Sequence, residues 1–143
     1  MKKLYFLVFT TALLTGTNLN AQLTATSVAN GNWLSPATWD CSCIPFPGYT
    51  VTIAHDVVLD TNYAHISGTF TINSGASLVQ DGTDRVFGVT GGTLTNNGLF
   101  QIHSVGFYSP GVVENNDTIM FTSFLNDATL NNNNSAYLRC DSI

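Results

Sequence analysis

The strongest constraint on this chain is a repeat of strand-like runs and turn clusters, roughly 20 residues long. From Thr50 onward, short stretches rich in Val, Ile, Thr and Phe alternate with clusters of Gly, Asn and Asp: VTIAHDVVLD, GTFTINSGASLVQ, GTLTNNGLFQI, VVENNDTIMF and ATLNNNNSAYL. Each run reads as a strand and each cluster as a turn, with no credible helix. Aligning the runs places Ile53, Phe70, Leu94, Val113 and Leu130 in register, at spacings of 17, 24, 19 and 17 residues. An apolar residue followed shortly by asparagines recurs: Leu94 before Asn96-Asn97, Val113 before Asn115-Asn116, and Leu130 before Asn131 to Asn134. One such unit cannot bury its apolar face alone, but a stack of them can, which predicts an all-β parallel β-helix, or β-solenoid. Asparagine suits the left-handed backbone of a corner, and stacked asparagines can hydrogen-bond their amides into a ladder. Gly68, Gly75, Gly82, Gly91, Gly92, Gly98 and Gly106 are expected at the other corners. The alternative is a β-sandwich, whose short strands also recur at close intervals; the mutual likeness of the repeats favours the solenoid.

The first residues differ. Lys2 and Lys3 precede an apolar run from Leu4 to Leu14, too short for a bilayer-spanning helix of about 20 residues. A polar stretch and Ala21-Gln22 follow, so residues 1–21 read as a secretory signal peptide cut after Ala21. No cysteine follows the run to take a lipid anchor. Beyond Ala21 there is no lysine: Arg85 and Arg139 face nine carboxylates, a net charge of −7. That balance argues against nucleic acid, which needs lysines and arginines to neutralise phosphates. It suits an exported, extracellular protein.

Residues 22–49 are expected to form an N-terminal cap on coils spanning residues 50–143. This segment holds Trp33, Trp39, Pro36, Pro45, Pro47 and two of three cysteines. An open solenoid end needs cover, and the tryptophans bring large apolar area. Cys41 and Cys43 are the candidate disulfide, with one residue between them and Cys140 left over. The C-terminal coil carries no comparable cap after Asn134, so the chain is expected to be truncated there and to self-associate through that coil.

Gly31-Asn32-Trp33, Pro36, Thr38-Trp39-Asp40, Cys41-Ser42-Cys43, Pro45 and Val51-Thr52-Ile53 together resemble the start of secreted right-handed parallel β-helix proteins of the Bacteroidetes type. The same pattern is similar to the opening of the eight-glycine domain. The resemblance covers about residues 27–60 and implies a surface or extracellular adhesin exported by the type IX route. It supplies no catalytic residues. Asp117-Thr118-Ile119 and Asp141-Ser142-Ile143 also resemble an O-glycosylation triplet of such proteins, which marks Thr118 and Ser142.

Few constellations point to chemistry. His55, His65 and His103 are scattered and read as surface residues rather than as a ligand set. Asp81 and Asp84, with Arg85 beside them in QDGTDR, are the best carboxylate pair for glycoside hydrolysis or calcium, but two Asp in a Gly-containing turn is ordinary loop chemistry. Neither a nucleophile elbow nor a phosphate-binding glycine loop is present. Tyr49, Tyr63, Phe107 and Tyr108 are expected to be exposed, and Phe107-Tyr108 before Ser109-Pro110-Gly111 is the candidate glycan contact. The sequence therefore predicts a non-catalytic, structural or adhesive surface module with no cofactor and no metal. Its expected partner is an extracellular polysaccharide or a surface protein. The alternative function is a fragment of a carbohydrate-active β-helix enzyme.

Overall fold

A computed structural model describes residues 23–133 and 135–140 of the 143-residue chain. The signal-peptide reading of residues 1–21 and the modification candidate Ser142 lie outside the described residues.

Alternation of apolar and polar residues makes strands of three or four residues, and glycine-bearing turns bend the chain between them. The result is a β-solenoid of about five parallel coils with three faces. The first face stacks Thr24–Thr26, Thr50–Ile53, Thr69–Ile72, Thr93–Asn96, Val112–Asn115 and Thr129–Asn132. The second stacks Gly31–Asn32, Asp56–Leu59, Ser77–Gln80, Leu99–Gln101, Thr118–Phe121 and Tyr137–Cys140. The third holds Tyr63–His65, Val86–Val89, Ser104–Phe107 and Ser123–Asn126. Every ladder between these strands is parallel. No helix among the described residues is long and apolar enough to cross a membrane.

The register corrects one rung of the expected repeat. Val51, not Ile53, stacks with Phe70, Leu94, Val113 and Leu130. Ile53 begins the next inward column, which runs through Ile72, Asn96, Asn115 and Asn132. With strand period two, both positions are apolar and inward, so hydrophobicity alone does not separate them.

No asparagine among the described residues supplies a left-handed corner. Among the described residues Ser42 is the one non-glycine with positive φ. Asparagine instead builds two amide ladders. Asn96 Nδ2 donates to Asn115 Oδ1 at 2.8 Å, and Asn115 Nδ2 to Asn132 Oδ1 at 2.7 Å. In the outer ladder the donors point the other way, Asn133 to Asn116 and Asn116 to Asn97, each at 2.8 Å. The second proton of each inner amide reaches a backbone carbonyl, Thr118 O for Asn96 and Tyr137 O for Asn115. Asn96 and Asn115 are thereby fully buried at little desolvation cost.

Trp33 and Trp39 close the N-terminal end. Their rings meet edge to face at 4.9 Å, and Trp39 Nε1 donates to Trp33 O at 2.8 Å. Ring contacts continue down the axis through Phe70, Phe87 and Phe100. A single 3-10 turn, Pro36–Thr38, and the bonded pair Cys41 and Cys43 shape the cap loop. Cys140 is a free, exposed thiol.

Candidate functional site: a groove on the third face

Outward positions on the third face are unusually small. Ala64, Gly88 and Gly106 stack in register, one per coil, with Leu125 above them. A run of three residues with nothing larger than the Ala64 methyl leaves a shallow channel along the axis. One part, of about 430 Å³, is lined by Val86, Thr90 and Tyr108. A second, of about 210 Å³, lies against the cap beside Leu34 and Phe46. The two parts share Asn62, Tyr63 and Ala64, and none of their lining residues carries a charge.

An aromatic ring stands at each end. Phe46, on the cap, is 64% exposed and Tyr108 is 38% exposed. Tyr108 lies against the sheet because residue 106 is glycine: a Cβ there would stand 2.6 Å from its Cε2. Gly88 differs, since a Cβ there would meet only ordinary contacts at 3.8–3.9 Å. Its missing side chain keeps the channel open without being required by packing.

The structure separates the paired glycan candidates. Phe107 is fully buried, its ring 5.4 Å from Phe124, so Tyr108 alone faces solvent. Strand alternation explains this, because Phe107 follows Gly106 onto the inward face. Tyr63 is likewise buried rather than exposed; its hydroxyl donates to Phe46 O at 3.1 Å and holds the cap down. Desolvation pushes that hydroxyl's pKa far above its ordinary value. Tyr49 is half-buried against the core.

His65 is not a surface residue but part of the core. Its Nε2 is 3.3 Å from Gly68 O, its Nδ1 has no partner, and burial lowers its pKa below 6.5. His55 Nδ1 lies 2.8 Å from Ser27 O. His103 Nδ1 sits 3.2 Å from Asp84 Oδ1, but not in hydrogen-bond geometry. The histidines thus stay apart. Asp81 spends both oxygens on Arg85, which with the Thr83 N–H holds its pKa at about 2. Among the described residues no three His, Cys, Asp or Glu are grouped to hold a metal ion. Thr118 opens a second-face strand, half-buried, its hydroxyl donating to Asp117 Oδ1 at 3.0 Å.

Sequence reasoning singled out Tyr108 but missed the channel. Small residues at positions 64, 88 and 106 share a face only when the register is known. The chain matches no family model, and no curated protein or solved structure is significantly similar to it.

Proposed function

We propose that the chain is a secreted, non-catalytic surface module that adheres to a neutral glycan through the third-face channel. The observation that carries this reading is the uncharged channel between Phe46 and Tyr108 on an acidic protein. Aromatic rings offer flat apolar faces to sugar rings, and Asn62, Thr90 and the Tyr108 hydroxyl are of the kind that bonds sugar hydroxyls. An acidic polysaccharide would meet no cation there. Three of the carboxylates are engaged in structure: Asp60 accepts from Leu34 N, Asp56 from Ser77 Oγ, and Asp81 from Arg85.

Affinity electrophoresis in gels containing xyloglucan or polygalacturonate tests this. Retardation by xyloglucan alone, lost in Gly88→Leu and Tyr108→Ala, is the expected result. Retardation unchanged in both variants would overturn the glycan site. Release of reducing sugar from either polymer would overturn the non-catalytic reading.

A further inference from the structure

The first face carries an array that the third-face channel does not involve. Its first four strands read Thr24-Ala-Thr26, Thr50-Val-Thr52, Thr69-Phe-Thr71 and Thr93-Leu-Thr95. In each, the middle residue is fully buried, so both flanking threonines point outward. Register aligns them across coils: Thr24 with Thr50, Thr69 with Thr93, and Thr26 through Thr52 and Thr71 to Thr95. Eight threonines therefore stand in two columns of four. The array ends where Val112 and Glu114 take the two outward positions.

Two further observations bear on what the array can do. None of these eight hydroxyls hydrogen-bonds to another protein group, although the chain bonds its other polar side chains extensively, as in the two amide ladders. The columns also carry no charge, in a protein of net charge −5. Threonine is β-branched, so χ1 is stiff and each hydroxyl and methyl is held in place without a partner. Backbone geometry sets the lattice: about 4.8 Å between coils and about 6.7 Å between the columns. Over four coils the ordered patch is about 14 Å tall.

We propose that this threonine face binds ice. Water in hexagonal ice repeats at comparable spacings along two perpendicular directions, so a rigid array of hydroxyls and methyls can hold first-layer water in that pattern. Ordering water costs entropy. Here the fixed backbone meets part of that cost before ice is encountered, which is preorganisation. A charged group would instead bind its own hydration shell and break the lattice; charge borders the array only at its two ends, where Asp40 accepts from Thr26 N and where Glu114 follows Thr95 in its column. The occupant is ice rather than a sugar because the face has no aromatic platform, unlike the channel ending at Tyr108.

The test uses the secreted chain and two variants. Thr71→Tyr places a bulky ring in the array, and Gln101→Tyr places the same ring on the second face, where Gln101 is exposed. Partition into a slowly growing ice hemisphere and inhibition of ice recrystallisation are measured, with circular dichroism and melting as the fold control. The proposal expects incorporation and inhibition in the wild type and in Gln101→Tyr, and loss of both in Thr71→Tyr with melting unchanged. Exclusion of the folded wild type from ice overturns it, as does equal incorporation of Thr71→Tyr. Should Thr71→Tyr melt early, Thr52→Lys serves the same purpose, since a charge at that site is to abolish incorporation. Wild-type capture by crystalline cellulose through this face, without ice incorporation, also overturns it.

Discussion

Asn96 and Asn115 lie one coil apart and share a buried hydrogen bond of 2.8 Å between their side-chain amides. Each amide passes the pattern on, accepting from the rung below or donating to the rung above and to a backbone carbonyl. Directly below them in the same column stand Ile72 and Ile53. One column of the core thus changes from apolar to polar without losing register, because each polar group brings the partner of the next.

Interrupting that ladder is expected to be costly. Asn115→Ala leaves one buried Asn96 Nδ2 proton without an acceptor and removes the bonds to Asn132 Oδ1 and Tyr137 O, and should lower stability by about 1–3 kcal/mol. Asn96→Leu with Asn115→Leu extends the isoleucine column, and should cost less than the two single changes added together. Urea midpoints of the four proteins test this; strict additivity would show that the amides act independently.

A second expectation concerns acid. His65 is neutral in the folded state because burial lowers its pKa, while the unfolded chain takes up the proton near 6.5. The unfolded state then binds more protons, so stability falls as pH drops below 6.5 toward the lower folded pKa. His65→Leu should flatten this part of the profile. Melting temperatures from pH 7.5 to 5 in both proteins decide it, and parallel curves would refute the role of His65.

The cap should rest on its tryptophans more than on its disulfide. Trp39→Ala removes a fully packed ring and the bond to Trp33 O, for an expected loss of about 3–5 kcal/mol. Cys41→Ser with Cys43→Ser opens a loop of only three residues, for which chain entropy gives about 1.6 kcal/mol. Chemical denaturation should rank the variants in that order.

Arg85 should be what keeps Asp81 acidic. Both groups are close to the surface, so Arg85→Ala should leave melting almost unchanged. The Asp81 carboxyl should nonetheless titrate nearer 3.8 than about 2. A carbon-detected NMR titration of that carboxyl gives the answer directly.

Much of this architecture was legible in the sequence. The spacing of Phe70, Leu94, Val113 and Leu130, with their following asparagines, was enough for a stack of parallel coils, and Trp33 and Trp39 marked the covered end. The ladder was legible too, since like residues at like positions stack. Exposure was harder to read. Phe107 and Tyr108 are neighbours, yet strand alternation buries one and presents the other, and Tyr63 and His65 turn inward for the same reason. Short strands between irregular turns do not announce their phase.

The chain's periodicity by itself determined that it would be β-structured and stacked, because each coil has too little apolar surface to be buried alone. Tertiary structure alone decided the register, placing Val51 rather than Ile53 over Phe70. From that register follow both candidate surfaces: the small-residue column through Ala64, Gly88 and Gly106, and the paired threonine columns from Thr24 to Thr95. The threonine pairs were present in the sequence, but nothing local aligned them. Hydrogen bonds between coils did, since a slip of one residue would turn every threonine inward and every core side chain out.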